Sequence, residues 1–178
     1  MALISASTIL TSLCLFHITL AYFFYTNPQT IADQALVYVL GEATGMPQTQ
    51  YFSTPSPTAS FLAVILFVLG LSDLITLSMP QEIWLVHYWG SQAPARIILF
   101  AALTLFTYTT APSTLSVSSA RAYGTASGSE GLRNRVFFAF SLLECISWFW
   151  AWVTLREETA AFTARKRRRS GSYVRERS

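Results

Sequence analysis

No aspartate, glutamate, lysine or arginine lies between Met1 and Asp33, and the first basic side chain is Arg96. Charged residues make up only 12% of the 178, about half the share usual in a water-soluble domain. A globular surface cannot be built from such a sequence, whereas a bilayer-facing surface can. Histidine occurs twice, at His17 and His87, which excludes a histidine-rich di-iron membrane oxidase by ligand count. The two cysteines, Cys14 and Cys145, sit inside apolar runs and provide no disulfide framework. There is no Asn-x-Ser/Thr acceptor, because Asn27 precedes Pro28 and Asn134 is followed by Arg135-Val136. Walker loops, nucleophile elbows, paired zinc ligands and dinucleotide fingerprints are all missing. The glycines of GEATG (41–45) and ASGSEG (126–131) do not stand at strand-to-helix turns.

What is present is apolar length, since hydrophobic residues form 52% of the chain. A hydrocarbon core of about 30 Å requires about 20 helical residues. Four stretches approach that length: 3–25, 59–79, 95–112 and 136–155, the third being the shortest. Backbone amides have no water to bond inside lipid, so the spans must be helical. The expected fold is all-α: a four-helix transmembrane bundle over 1–158 with interfacial helical segments, followed by a disordered basic tail over 159–178. The first span lacks the basic n-region of a signal peptide and the arginines of a mitochondrial presequence, and it reads as an uncleaved anchor for the endoplasmic reticulum.

Between the spans, residues 30–43 read as an interfacial helix and 46–58, with three prolines, as an extended loop. Residues 80–94 read as a loop whose Trp84, Tyr88 and Trp89 favour the headgroup level, and 113–135 as a serine- and glycine-rich connection. Eight of the twelve basic residues fall from Arg156 onward, five of them in Arg165-Lys166-Arg167-Arg168-Arg169. That is a basic tail on an apolar body, so the net charge of +3 does not indicate a direct nucleic-acid partner. With four spans, the termini and the 80–94 segment share the side holding nine Lys/Arg, while Arg121, Arg133 and Arg135 lie opposite, which places both termini in the cytosol. The tail serves as a topology determinant, an anionic-lipid patch, or a retention signal built on Arg175-Glu176-Arg177.

Four polar residues stand within the spans. An isolated Asp or Arg at the bilayer centre costs about 2.5–3.5 kcal/mol, so each needs a partner or a polar cavity. Asp73 is placed about 9 Å inside the cytosolic end of the second span, level with Arg96 at the start of the third. His17 and Glu144 share a depth about 12 Å below the lumenal face. Each pair is either a register-fixing contact or the lining of an ion or proton path. Cys14 and His17 share a helix face, and Glu144-Cys145 lies on another span, but cysteine in an apolar helix behaves as a small hydrophobe. No metal and no cofactor are expected.

The chain resembles the fungal "increased loss of mitochondrial DNA" protein family. The resemblance is carried by Met46-Pro47-Gln48, by Gly70-x-x-Asp73-Leu74-Ile75-x-Leu77 and by Pro94-x-Arg96. It continues through Glu144-x-x-x-Trp148 and Arg156-Glu157-Glu158, over residues 8–158. The tail beyond Glu158 is more acidic in the family pattern, so the basic tail is a departure. The resemblance implies a small multi-pass protein of the endoplasmic reticulum membrane with an indirect role in mitochondrial DNA maintenance and no established catalytic activity. Three readings of function follow: a non-enzymatic scaffold or lipid-environment factor, an ion or proton pathway component, and a lipid- or sterol-binding or lipid-modifying protein with an intramembrane cavity. Expected partners are membrane lipids and other membrane proteins, with the oligomeric state open.

Overall fold

The computed structural model describes residues 4–48, 52, 56–109 and 131–175, with side chains through 168. Among these residues every element is helical and no strand occurs. The expected serine- and glycine-rich connection lies outside the described residues over 113–130, and much of the 46–58 loop does likewise.

Helix α1 runs Ala6–Thr26, with Ser5 at its N-cap accepting from the Thr8 amide at 3.2 Å. The short α2 (Gln29–Ala32) and α3 (Ala35–Thr44) occupy the expected interfacial segment. Gly45 ends α3 at φ 68°, a left-handed C′ position, and lets the Met46 amide return to the Gly41 carbonyl at 2.8 Å. Helix α4 (Pro57–Thr76) opens with a Ser56 cap and proline in its first turn. Helix α5 covers Trp89–Thr109, and α6 covers Arg135–Arg175. Asn134 caps α6, its side-chain oxygen accepting from the Phe137 amide at 2.8 Å.

Three helical segments are long and apolar enough to cross a membrane: Ala6–Thr26, Pro57–Thr76 and Arg135–Arg168. The fourth expected span, 95–112, takes a different form. Helix α5 begins at Trp89 and carries Gln92, Pro94 and Arg96 in its first half, which lowers its apolarity below that of the other three. The expected loop at 80–94 is also helical. Six residues, Ile83–Tyr88, form a π-helical segment that runs directly into α5. Within and next to it, Trp84 and Trp89 are buried in the protein.

The tail is the second correction. Residues 159–175 continue α6 as one helix of 41 residues, about 60 Å long and about twice the hydrocarbon thickness. Low apolar content argues against a segment folding alone, but here the helix is already nucleated. Propagation through alanine, glutamate, lysine and arginine costs little. Phe162 packs on the buried cluster at that end, and Lys166 pairs with Glu82. The Lys166 ammonium holds the Glu82 carboxyl below the usual carboxylate range.

The helices associate as two pairs, α1 with α4 and α5 with α6, while α4 and α5 make far less backbone contact despite being consecutive. One apolar cluster joins Ala6, Leu10, Trp84, Leu85, Trp148 and Leu155, so the start of α1 and the later part of α6 lie at one end. A second joins Phe24, Ile31, Val37, Leu66 and Val136 at the other end. The α1–α4 contact depends on Gly70: a β-carbon there would lie 2.9 Å from the Cys14 carbonyl oxygen and 3.1 Å from His17 Cβ. Gly70→Ala should therefore separate the pair and cost about 1–3 kcal/mol, as overpacking does. Gly90→Ala, whose added carbon meets only Leu85 O at 3.7 Å, should be neutral or slightly stabilising. Thermal unfolding of both variants in detergent checks the contrast.

Candidate functional site: a buried polar layer

Each helix pair buries polar groups on the side facing the other pair. Asp73 on α4 is 2% exposed, and both its oxygens accept from Arg96 on α5, at 2.6 and 3.0 Å. This fork-to-fork geometry is the strongest form of an ion pair. The guanidinium also lies against two indoles, 4.6 Å from the Trp148 ring centroid and 5.2 Å from that of Trp89. Those two rings stack at 5.3 Å with 23° between their planes. Arginine is weakly hydrated and planar, which suits it to an aromatic shelf away from water.

The second contact joins the remaining two helices. His17 Nε2 on α1 stands 3.0 Å from Glu144 Oε1 on α6, a close carboxylate–imidazole contact that falls short of a well-aligned hydrogen bond. The other Glu144 oxygen accepts from Trp148 Nε1 at 2.9 Å, one helical turn along α6. The two pairs expected at separate depths are therefore continuous through one residue. Trp148 offers its ring to Arg96 and its N–H to Glu144, linking Asp73, Arg96, Glu144 and His17 across α4, α5, α6 and α1. Sequence reasoning placed Trp148 only in a family motif. Its i,i+4 spacing from Glu144 was the available signal.

The other motif residues are spread over both ends of the bundle. Met46 is buried, Gln48 is exposed, and the Pro47 carbonyl accepts from the Arg135 amide at 3.2 Å. Pro94 lies inside α5, directly after the fully buried Ala93 and two residues before Arg96. Glu158 accepts from the Ala6 amide at 2.7 Å, tying the end of the motif region to the first turn of α1. Arg156 lies over Trp152 at 5.1 Å, and Glu157 is exposed. In the tail, Arg165, Lys166, Arg167 and Arg168 are exposed, while the Arg169 side chain falls outside the described residues. Cys14 is buried beside His17, and Cys145 is partly buried. Among the described residues no three His, Cys, Asp or Glu side chains converge as metal ligands would.

Two clefts flank the layer without including its charged residues. One of about 390 Å³ lies between α1 and α6 against Thr8, Ser12, Leu13, Ser147 and Trp150. The other, about 290 Å³, lies between α1, α3 and α6. Removing one partner of a buried ion pair leaves an uncompensated charge and costs about 3–5 kcal/mol. Asp73→Asn and Arg96→Leu should each cause a loss of that order. The combined Asp73→Leu and Arg96→Leu protein should recover much of it, because an apolar pair of similar bulk carries no desolvation penalty. A double-mutant cycle on unfolding in detergent reads the coupling, and simple additivity would show that the pair is not coupled.

Compared with known proteins, residues 4–165 match the family described as "Increased loss of mitochondrial DNA protein 1". The match includes Arg165 and stops before the rest of the basic run. No curated protein and no solved structure matches the chain. With most of its length covered, including every residue of the polar layer, the chain belongs to the increased loss of mitochondrial DNA protein 1 family.

Proposed function

We propose that the chain is a non-enzymatic scaffold or lipid-environment factor of the endoplasmic reticulum membrane, supporting mitochondrial DNA maintenance indirectly. Family membership supplies the link to mitochondrial DNA loss. The observation that carries the scaffold reading is the destination of the buried acids. Asp73 spends both oxygens on Arg96, and Glu144 faces His17 and Trp148, so these carboxylates hold helices together. Neither large cleft is lined by them, which favours a structural layer over an ion or proton path.

In this reading α1, α4, α5 and α6 all cross, and Arg96 is tolerated in α5 because Asp73 neutralises it. Both termini then face the cytosol, in keeping with the concentration of Lys/Arg at that end. Glycosylation-acceptor tags report sidedness. A tag at either terminus should stay unmodified, whereas one inserted between Met46 and Ser56 should be modified. Modification of a terminal tag would reverse or break the four-crossing topology.

The role is tested in cells lacking the endogenous protein by following protein level and mitochondrial DNA retention together. Asp73→Asn and Glu144→Gln should impair retention only as far as they reduce the protein level. Apolar double replacement at Asp73 and Arg96 should restore both. Loss of retention at normal protein level would give the carboxylates a direct role and remove the scaffold reading.

A further inference from the structure

A second polar feature stands where α1 ends and α6 begins. Arg133 and Arg135 flank the Asn134 cap, and neither forms an ion pair among the described residues. Both are partly buried, and both Nε atoms are enclosed by protein without a hydrogen-bond partner. The Arg135 stem is pinned against α3: a β-carbon at Gly41 would lie 2.7 Å from Arg135 Cβ. Its guanidinium is 5.6 Å from the Tyr38 ring centroid. Cations with no carboxylate partner among the described residues are open to an anionic ligand.

The 290 Å³ cleft begins beside them. Its walls include Phe24, Ile31, Val37, Val136, Phe140 and Leu143. Val136 follows Arg135 directly, and Val37 precedes Gly41 by one turn on the same α3 face, so the apolar space and the arginines are adjacent. Leu36, 49% exposed, stands at the cleft mouth. The combination is an apolar slot whose wall at Val136 is followed back along the chain by Arg135, packed on α3, and by Arg133, whose Nε is buried.

We infer that this end of the molecule binds a glycerophospholipid, with an acyl chain in the α1–α3–α6 cleft and the phosphate on Arg133 and Arg135. The inference deepens the lipid-environment reading above and rests on its placement of the helices in a membrane. Charge complementarity identifies the occupant. A phosphate accepts paired N–H donors from arginine, and the N-terminus of α6 adds a favourable dipole. An acyl chain matches walls that water would not wet.

The test uses the full chain in a lipid-free detergent and follows its unfolding midpoint with three probes: short-chain phosphatidate, the corresponding diacylglycerol, and inorganic phosphate. Phosphatidate should raise the midpoint in a saturable way, and the other two should not. Arg133→Gln with Arg135→Gln should weaken phosphatidate binding about tenfold, the loss expected when charge-assisted hydrogen bonds are removed. Arg133→Gln alone leaves the Arg135–Gly41 packing intact and should show a smaller loss in the same direction. Leu36→Trp, at the exposed mouth, should weaken binding without lowering the midpoint of the unliganded protein. An equal response to inorganic phosphate, an equal response to diacylglycerol, or no response to phosphatidate would each overturn the site. So would full binding by Arg133→Gln and Leu36→Trp. These readouts concern lipid binding alone, so their failure leaves the scaffold reading to its own test in cells.

Discussion

Arg96 is the residue around which the bundle is assembled. In lipid there is little hydrophobic force between helices, so association depends on close packing and on polar contacts that have no better partner in hydrocarbon. The pairs α1–α4 and α5–α6 satisfy the packing requirement separately. The polar layer joins one pair to the other between two apolar clusters that also bridge α1 and α6. Arg96 reaches from α5 to Asp73 on α4 while resting on Trp148 of α6, and Glu144 of α6 reaches His17 of α1. Sliding either pair by one helical turn, about 5.4 Å, would break both connections at once. The cost of the buried charges is thereby converted into a single allowed register, a use of buried polar groups with good precedent in helical assemblies.

Small side chains make that register reachable. Gly70 lets α4 approach the Cys14–His17 turn of α1, which brings the Asp73 turn close to His17. Ala93 and Ala151 are fully buried in the cluster around the stacked indoles of Trp89 and Trp148. Hydroxyl groups need no interhelical partners. Thr76, Thr107, Ser141 and Thr154 each donate to the carbonyl four residues earlier, at 2.7 to 3.1 Å, so their polarity is absorbed within their own helices. The polar requirement between helices then falls on a few long side chains, and those are the ones that meet.

Hydropathy made α1, α4 and the start of α6 readable, because little else explains apolar runs of that length with so few charges. Placing Asp73 beside Arg96 needed only alternating helix direction and a rise per residue. His17 and Glu144 came together by the same counting of depth. The link between the two pairs was harder. Trp148 acts through its ring face and its N–H together, and spacing along one helix does not say which neighbouring helix a ring will cover. The stacking of Trp89 on Trp148 was hidden for a related reason: tryptophan has the same amphipathic character at a headgroup and in a polar core. A π-helical turn leaves no periodic mark in six residues, so the segment before α5 resembled a loop. The tail failed differently. Its composition was judged as a free segment, although a helix entering from the membrane has already met the cost of nucleation.

Within the polar layer Arg96 takes both Asp73 oxygens, so altering that pair would first alter folding, while His17 Nδ1 and Glu144 Oε1 are buried without a hydrogen-bond partner. Outside the layer, the described residues offer the clefts beside α1, the arginines at the start of α6 and the basic stretch of its end. The family match stops at residue 165, inside that stretch, so it covers the layer and leaves out Lys166, Arg167, Arg168 and Arg169. Arg167 and Arg168 stand exposed on the continuation of α6, beyond the Lys166–Glu82 pair that ties this helix to the segment before α5.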